Sequence, residues 1–313
     1  MKVTAWAAVG FVTLIACLAL VARHFAVTIS AATASGVALL LAPYWAFGFG
    51  FGEWLRKKLH NRTTRVLAPL ALLAAYPAFA IPRHEFQWSM FAGMGVVISA
   101  VAWLLDHVSG EAGWRDWLVL AILGVSVDLH FFDRAWPVAG LSGMPKLLFV
   151  DVGLYGYLVL RPVDGIGYDF RLRLADFRIG LREFLFFAPI AIGLGFALGF
   201  LHLHQTPGSA ASFGAGWLFT MFFVALPEEL FFRGLMLNMI ERRLGTKPAL
   251  AITSILFGLA HFNKRAAYFN WRYVILAAIA GVFYGRAWLT QRRLAASSIT
   301  HATVDTVWSI WLR

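Results

Sequence analysis

The chain has 313 residues, 60% of them hydrophobic and only 14% charged, with a mean hydropathy of +0.71. Soluble domains carry about 25% charged residues, so an ordinary soluble protein is excluded and a polytopic membrane protein is indicated. The formal net charge of +11 does not indicate a nucleic-acid partner: the cations cluster in short loops between apolar runs, and no basic face carries interleaved stacking aromatics.

Met1-Lys2-Val3 and the apolar run to Val21 have the charge order of a signal peptide. The run is long and more spans follow, so an uncleaved first transmembrane helix is expected. Cys17, the single cysteine, lies in this run, which excludes an intrachain disulfide and offers no thiol metal site. Apolar runs predict spans near 3–22, 34–52, 66–82, 89–106, 117–131, 146–161, 183–203, 214–241, 248–262, 272–290 and 294–312. The fifth and ninth are short, so the expected architecture is an all-α transmembrane helical bundle of eight to eleven spans. Basic residues gather in 53–65, 161–182, 241–247 and just before the last span. With eleven spans all four clusters share the side of the N-terminus, which the positive-inside rule assigns to the cytoplasm of a multi-pass cell-membrane protein. The loop 263–272, with Lys264, Arg265 and Arg272, is the exception.

The Asp-, Arg- and aromatic-rich segment 163–182 predicts a cytoplasmic loop with an interfacial amphipathic helix around Phe170–Leu181. It divides an N-terminal region, 1–182, whose role the sequence does not assign, from a C-terminal region, 183–313. Gly195–Gly199 and Gly281–Gly285 have the spacing of close helix contacts. Trp54, Trp114, Trp117, Trp136 and Trp271 fit interfacial belts.

The chemistry concentrates in the last hundred residues. Pro227-Glu228-Glu229-Leu230-Phe231-Phe232-Arg233 sits inside an apolar span, where each charge costs about 2.5–3.5 kcal/mol on insertion scales and marks a functional candidate. Glu229 and Arg233 are four apart with the acid first, the favourable order for pairing on one helix face. Glu228 is rotated about 100° away, which leaves it the carboxylate available for general acid–base work. The competing reading is a purely structural buried ion network. Phe257 and His261 again stand four apart, as do His301 and Asp305. A carboxylate at that distance can accept a ring N–H and fix the imidazole tautomer. Taken singly, His261 reads as an interfacial histidine and His301–Asp305 as a polar helix contact; three such pairs in three spans argue for one site.

Glu228-Glu229-x-x-x-Arg233, Phe257-x-x-x-His261 and His301-x-x-x-Asp305 together resemble the three motifs of the CPBP family (CAAX protease and bacteriocin-processing, or ABI), which are intramembrane glutamic endopeptidases. The resemblance covers roughly residues 183–313. It implies a C-terminal catalytic helical core in which Glu228 is the general base, His261 helps hold or polarise the water, and His301 stabilises the oxyanion. Glu229, Arg233 and Phe257 support that arrangement. Asp305 stands where some members have Asn; an ionised Asp cannot donate to an oxyanion, so it is expected to orient His301 or to be protonated.

Along the helices Glu228 lies about 21 Å from Arg242 and His261 about 21 Å from Lys247, whereas His301 lies only about 12 Å from Arg293. Tilt, a deeper start of the last helix, or a polar cavity would reconcile the depths. A water-filled cavity is required in any case, because hydrolysis consumes water.

The expected activity is hydrolysis of a peptide bond in a membrane-associated protein or peptide, with the lipid bilayer as surroundings, no cofactor and no metal. One alternative makes Glu228, His261 and His301 ligands of a divalent ion in a membrane hydrolase; activity surviving exhaustive chelation would remove it. Another is a non-catalytic membrane partner or transporter that uses the buried charges as a relay. Asp151 reads as a structural or cavity-lining carboxylate. Asp128, His130 and Asp133, and likewise His202 and His204, read as residues at outer helix ends.

Overall fold

The computed structural model describes all residues except 1, 25, 27, 107–109, 138–142, 205–207, 265, 267 and 313; Arg265 of the exceptional basic loop lies outside the described residues. The chain forms two compact units, Met1–Asp164 and Gly165–Arg313. Among the described residues there is no strand.

The first unit contains α1 (Lys2–His24), α2 (Ala31–Phe47), α3 (Phe51–Lys58), α4 (Arg62–Ala80), α5 (Trp88–Asp106), α6 (Trp114–Asp128) and α7 (Met144–Tyr155), which a wider π-helical turn extends over Gly156–Leu160. The Ser30 hydroxyl caps α2 by accepting from the Thr33 N–H, and α3 turns 86° from α2. Tyr44, Tyr76, Phe79, Ile98 and Phe149 are buried in this unit. Trp136 is also buried, against Tyr76 and Phe79, and does not join an interfacial belt. Charges here are paired: Asp106 accepts from Arg62 at 2.6 Å, and Asp116 meets Arg161 at 2.6 Å. Asp151 differs. It is fully buried, and among the described residues neither of its carboxylate oxygens has a hydrogen-bond partner.

The second unit contains α8 (Leu174–Ala197), α9 (Ala210–Leu244), α10 (Thr246–Leu259), α11 (Trp271–Gln291) and α12 (Leu294–Trp311). Residues 174–181 are the first two turns of α8, continuous with the span that follows, so the expected separate amphipathic helix does not form. Among the described residues six helices are long and apolar enough to cross a membrane, or seven if α2 and α3 make one bent span. That is fewer than the eight to eleven expected, for a physical reason. α10 has 14 residues, short of the ~20 that a bilayer needs. α12 is long enough but polar, and it is enclosed by protein: residues 294–303 are buried and its threonines bond backbone carbonyls, Thr303 to Ile299 and Thr306 to Ala302.

Close backbone contacts set the helix positions. A Cβ on Gly180 of α8 would lie 2.7 Å from Ile299 Cγ2 of α12, and the Gly180 carbonyl accepts from the Thr300 hydroxyl at 3.0 Å. Gly281 of α11 faces Ser254 of α10 with equally little room, which agrees with the packing role expected of Gly281–Gly285. Gly195 faces Leu201 just beyond its own helix, and Gly199 sits at φ +62 with nothing nearby, so that second pair does not mediate helix contact.

Candidate active site

The carboxylates of the first motif lie at a distortion in α9. Pro227 lacks an N–H and crowds the preceding turn. The helix widens into π-helical turns over Met221–Ala225 and Leu230–Leu237, on either side of Leu226–Glu229. Such wide turns inside helices frequently mark functional sites.

Glu229 is fully buried and Glu228 half-buried. The Arg233 guanidinium, also buried, donates from Nη1 to Glu229 Oε1 at 2.8 Å and from Nη2 to the Gly281 carbonyl at 3.0 Å. It lies 4.5 Å from the Phe257 ring centroid and 5.3 Å from that of Tyr284, a placement that stabilises a desolvated cation. The pairing of Arg233 with Glu229, read from i, i+4 spacing, is therefore present.

His301 is the hub. Its Nδ1 is 2.8 Å from Glu229 Oε1, its Nε2 is 3.4 Å from Asp305 Oδ2 and 3.9 Å from Glu228 Oε2, and the residue is buried. A carboxylate accepts, so Nδ1 is the donor toward Glu229. The carboxylate that fixes this ring is thus Glu229 from another helix; Asp305 faces the opposite nitrogen, together with Glu228. The ring lies flat on Tyr284, at a centroid distance of 4.5 Å and an interplanar angle of 18°, with Phe257 edge-on at 5.7 Å. Tyr284 has no charge and no motif spacing, so the sequence offered no reason to single it out.

His261 lies just past the C-terminus of α10. Its Nδ1 is 2.8 Å from the Phe257 carbonyl oxygen. A carbonyl only accepts, so Nδ1 carries the proton, and in the neutral ring Nε2 is left as an acceptor. Phe257 touches both histidines, with its centroid 4.8 Å from that of His261. His261, His301, Asp305, Phe257 and Tyr284 line one cavity of about 110 Å³; Glu228 and Glu229 reach this group through His301.

The depth mismatch for His301 is resolved at Arg293. Arg293 is buried rather than at a membrane surface: Nε and Nη2 donate to Asp176 at 2.8 and 3.1 Å, Nη1 to Asp169 at 3.0 Å, and Nη2 also to the Arg171 carbonyl. The last helix therefore starts deep. Asp169 lies in the loop before α8; burial alone would push its carboxyl up, but the hydrogen bonds from Arg171 and Arg293 outweigh burial and hold it below the usual carboxylate range.

The remaining polar candidates stay apart from this site. His130 Nδ1 lies 2.8 Å from Asp133 at the end of α6. The backbone N–H groups of His202 and His204 bond the carbonyls of Leu312 and Trp311. Among the described residues no three His, Cys, Asp or Glu side chains group as metal ligands.

Residues 209–307 match the family model described as type II CAAX prenyl endopeptidase Rce1-like. This agrees with the family that the three motifs resemble, and all seven motif residues fall within the matched segment, which carries a protease domain of the general CAAX kind. No curated protein and no solved structure matches the chain.

Proposed function

We propose that the chain is a glutamate-dependent intramembrane endopeptidase that hydrolyses a peptide bond of a membrane-associated protein or peptide. The observation that carries this reading is the convergence on His301: Glu229, Glu228 and Asp305 surround its two nitrogens, and Phe257 joins it to His261. All residues with assigned roles lie in 183–313, to which we assign catalysis; the multi-pass chain resides in the cell membrane with its N-terminus on the cytoplasmic side.

Glu228 takes a proton from a water held with the help of the His261 Nε2 acceptor. The resulting hydroxide attacks the peptide carbonyl carbon, and the carbonyl oxygen becomes an oxyanion. His301, when protonated on both nitrogens, presents Nε2–H to that oxyanion while Nδ1–H stays on Glu229. Glu228 then delivers its proton to the leaving amine as the C–N bond breaks. Glu229 and Arg233 are positioning residues that hold the imidazole in plane. Asp305, beside Nε2, stabilises the imidazolium.

The test is cleavage of membrane-anchored peptides by the purified protein in liposomes, read by mass spectrometry. Glu228→Gln and His261→Ala are expected to remove cleavage; retention of cleavage in both variants would falsify the glutamic mechanism.

A further inference from the structure

We infer that the apolar cavity beside His301 is a subsite for one bulky apolar side chain of the substrate, next to the scissile bond. This rests on the hydrolase reading and deepens it by naming what the site selects.

The cavity has one polar end and otherwise apolar walls. His261, His301 and Asp305 form the polar end. Along the walls Ala188 and Ala191 of α8 face Ala277 and Ala280 of α11; at these four places the side chain stops at Cβ, and the space is what a larger residue would fill. The far end is closed by three aromatic rings in mutual contact. Phe200 stacks on Trp308 at 5.5 Å, and Tyr273 contacts both, with centroids at 5.3 Å. From His301 to Trp308 is seven residues of helix, about 10 Å.

Size and chemistry decide the occupant. A dry cavity of about 150 Å³ lined by aliphatic and aromatic side chains accepts benzene. At about 110 Å³ this cavity fits one leucine-, isoleucine-, methionine- or phenylalanine-sized group. A long isoprenoid or acyl chain exceeds what the aromatic end encloses, so the cavity reads a substrate side chain and any lipid attached to the substrate lies elsewhere. Filling it seats the neighbouring carbonyl beside His301, which turns apolar binding into orientation of the reacting group.

The test uses the full chain in liposomes and peptides that differ at one flanking position at a time, from Gly through Ala, Val and Leu to Phe, each with and without an attached isoprenoid. The wild-type protein is expected to prefer Leu or Phe over Gly in kcat/KM by about 10–200-fold at one flanking position. Ala188→Leu and Ala191→Leu, both at half-buried positions, are expected to reduce that preference at least tenfold at the same position, with or without the isoprenoid. Val304→Ala, which enlarges the cavity, is expected to shift the preference toward Phe; it decides the matter if the filled variants fail to fold. Equal losses for every peptide, or losses confined to isoprenoid-bearing peptides, would overturn the subsite while leaving the hydrolase reading intact. Absence of any cleavage by the wild-type protein overturns both.

Discussion

Adjacent glutamates with different surroundings predict different failures. Glu228→Gln removes the proposed base from a half-buried position with no buried cation depending on it; the turnover number should fall by about 10²–10⁴ and the melting temperature should hold. Glu229→Gln leaves the Arg233 guanidinium, 1% exposed, without its counter-charge and His301 without its acceptor. Removing one member of a buried ion pair costs about 3–5 kcal/mol, so this variant should lose thermal stability as well as activity. Melting and turnover measured on both proteins separate the two cases, and equal stability loss would remove the distinction drawn between them. The division was legible in the sequence because i, i+4 spacing assigns Arg233 to Glu229. The bond from Glu229 to His301 was not legible: the residues are 72 positions apart, and intrahelical spacing favoured Asp305 as the partner. Tyr284 was equally hidden, since a ring that acts by stacking leaves no charge or spacing in an apolar helix.

Among the elements, long apolar runs announced themselves and enclosed ones did not. α12 reads as a span by position, yet it is a polar helix whose hydroxyls are satisfied inside the protein. Its contact with α8 depends on Gly180. A valine there would push against Ile299, one turn from the bond between Thr300 and the Gly180 carbonyl. Overpacking of this kind costs about 1–3 kcal/mol, and because His301 follows Thr300, Gly180→Val should lower both melting temperature and turnover. The loop that links Asp169 to Arg293 supplies a pH test. The native carboxyl is held below its usual value, so the stability it contributes is complete above about pH 4 and fades as pH falls through the lowered native value. Asp169→Asn should therefore melt earlier than the wild type at neutral pH, with the difference shrinking below about pH 4; a difference independent of pH would show that the carboxylate's ionisation is not what fastens the loop. Gly167 shares this loop at φ +78, and a Cβ there would overlap the Arg292 carbonyl. No sequence pattern pointed to it.

At the scale of the whole molecule, the Asp- and Arg-rich stretch near 163–182 marks a change that composition could register, and the second compact unit begins at Gly165. The three motifs all lie in that unit, whereas the first unit holds a different anomaly. Asp151 is buried without a hydrogen-bond partner for either oxygen among the described residues. The sequence exposed it as an intramembrane carboxylate but could not say whether a partner would reach it from another helix. A buried polar group left unsatisfied costs about 1–3 kcal/mol, and leucine is close to aspartate in shape. Asp151→Leu should therefore raise the melting temperature of the first unit while the turnover per folded molecule stays at the wild-type value, because catalysis is assigned to the second. Differential scanning calorimetry beside a peptide-cleavage assay reads both quantities on one preparation. Stabilisation with unchanged turnover means that Asp151 is a local cost carried by the first unit alone; lost turnover would make it a functional group of the enzyme and would tie the first unit to the reaction.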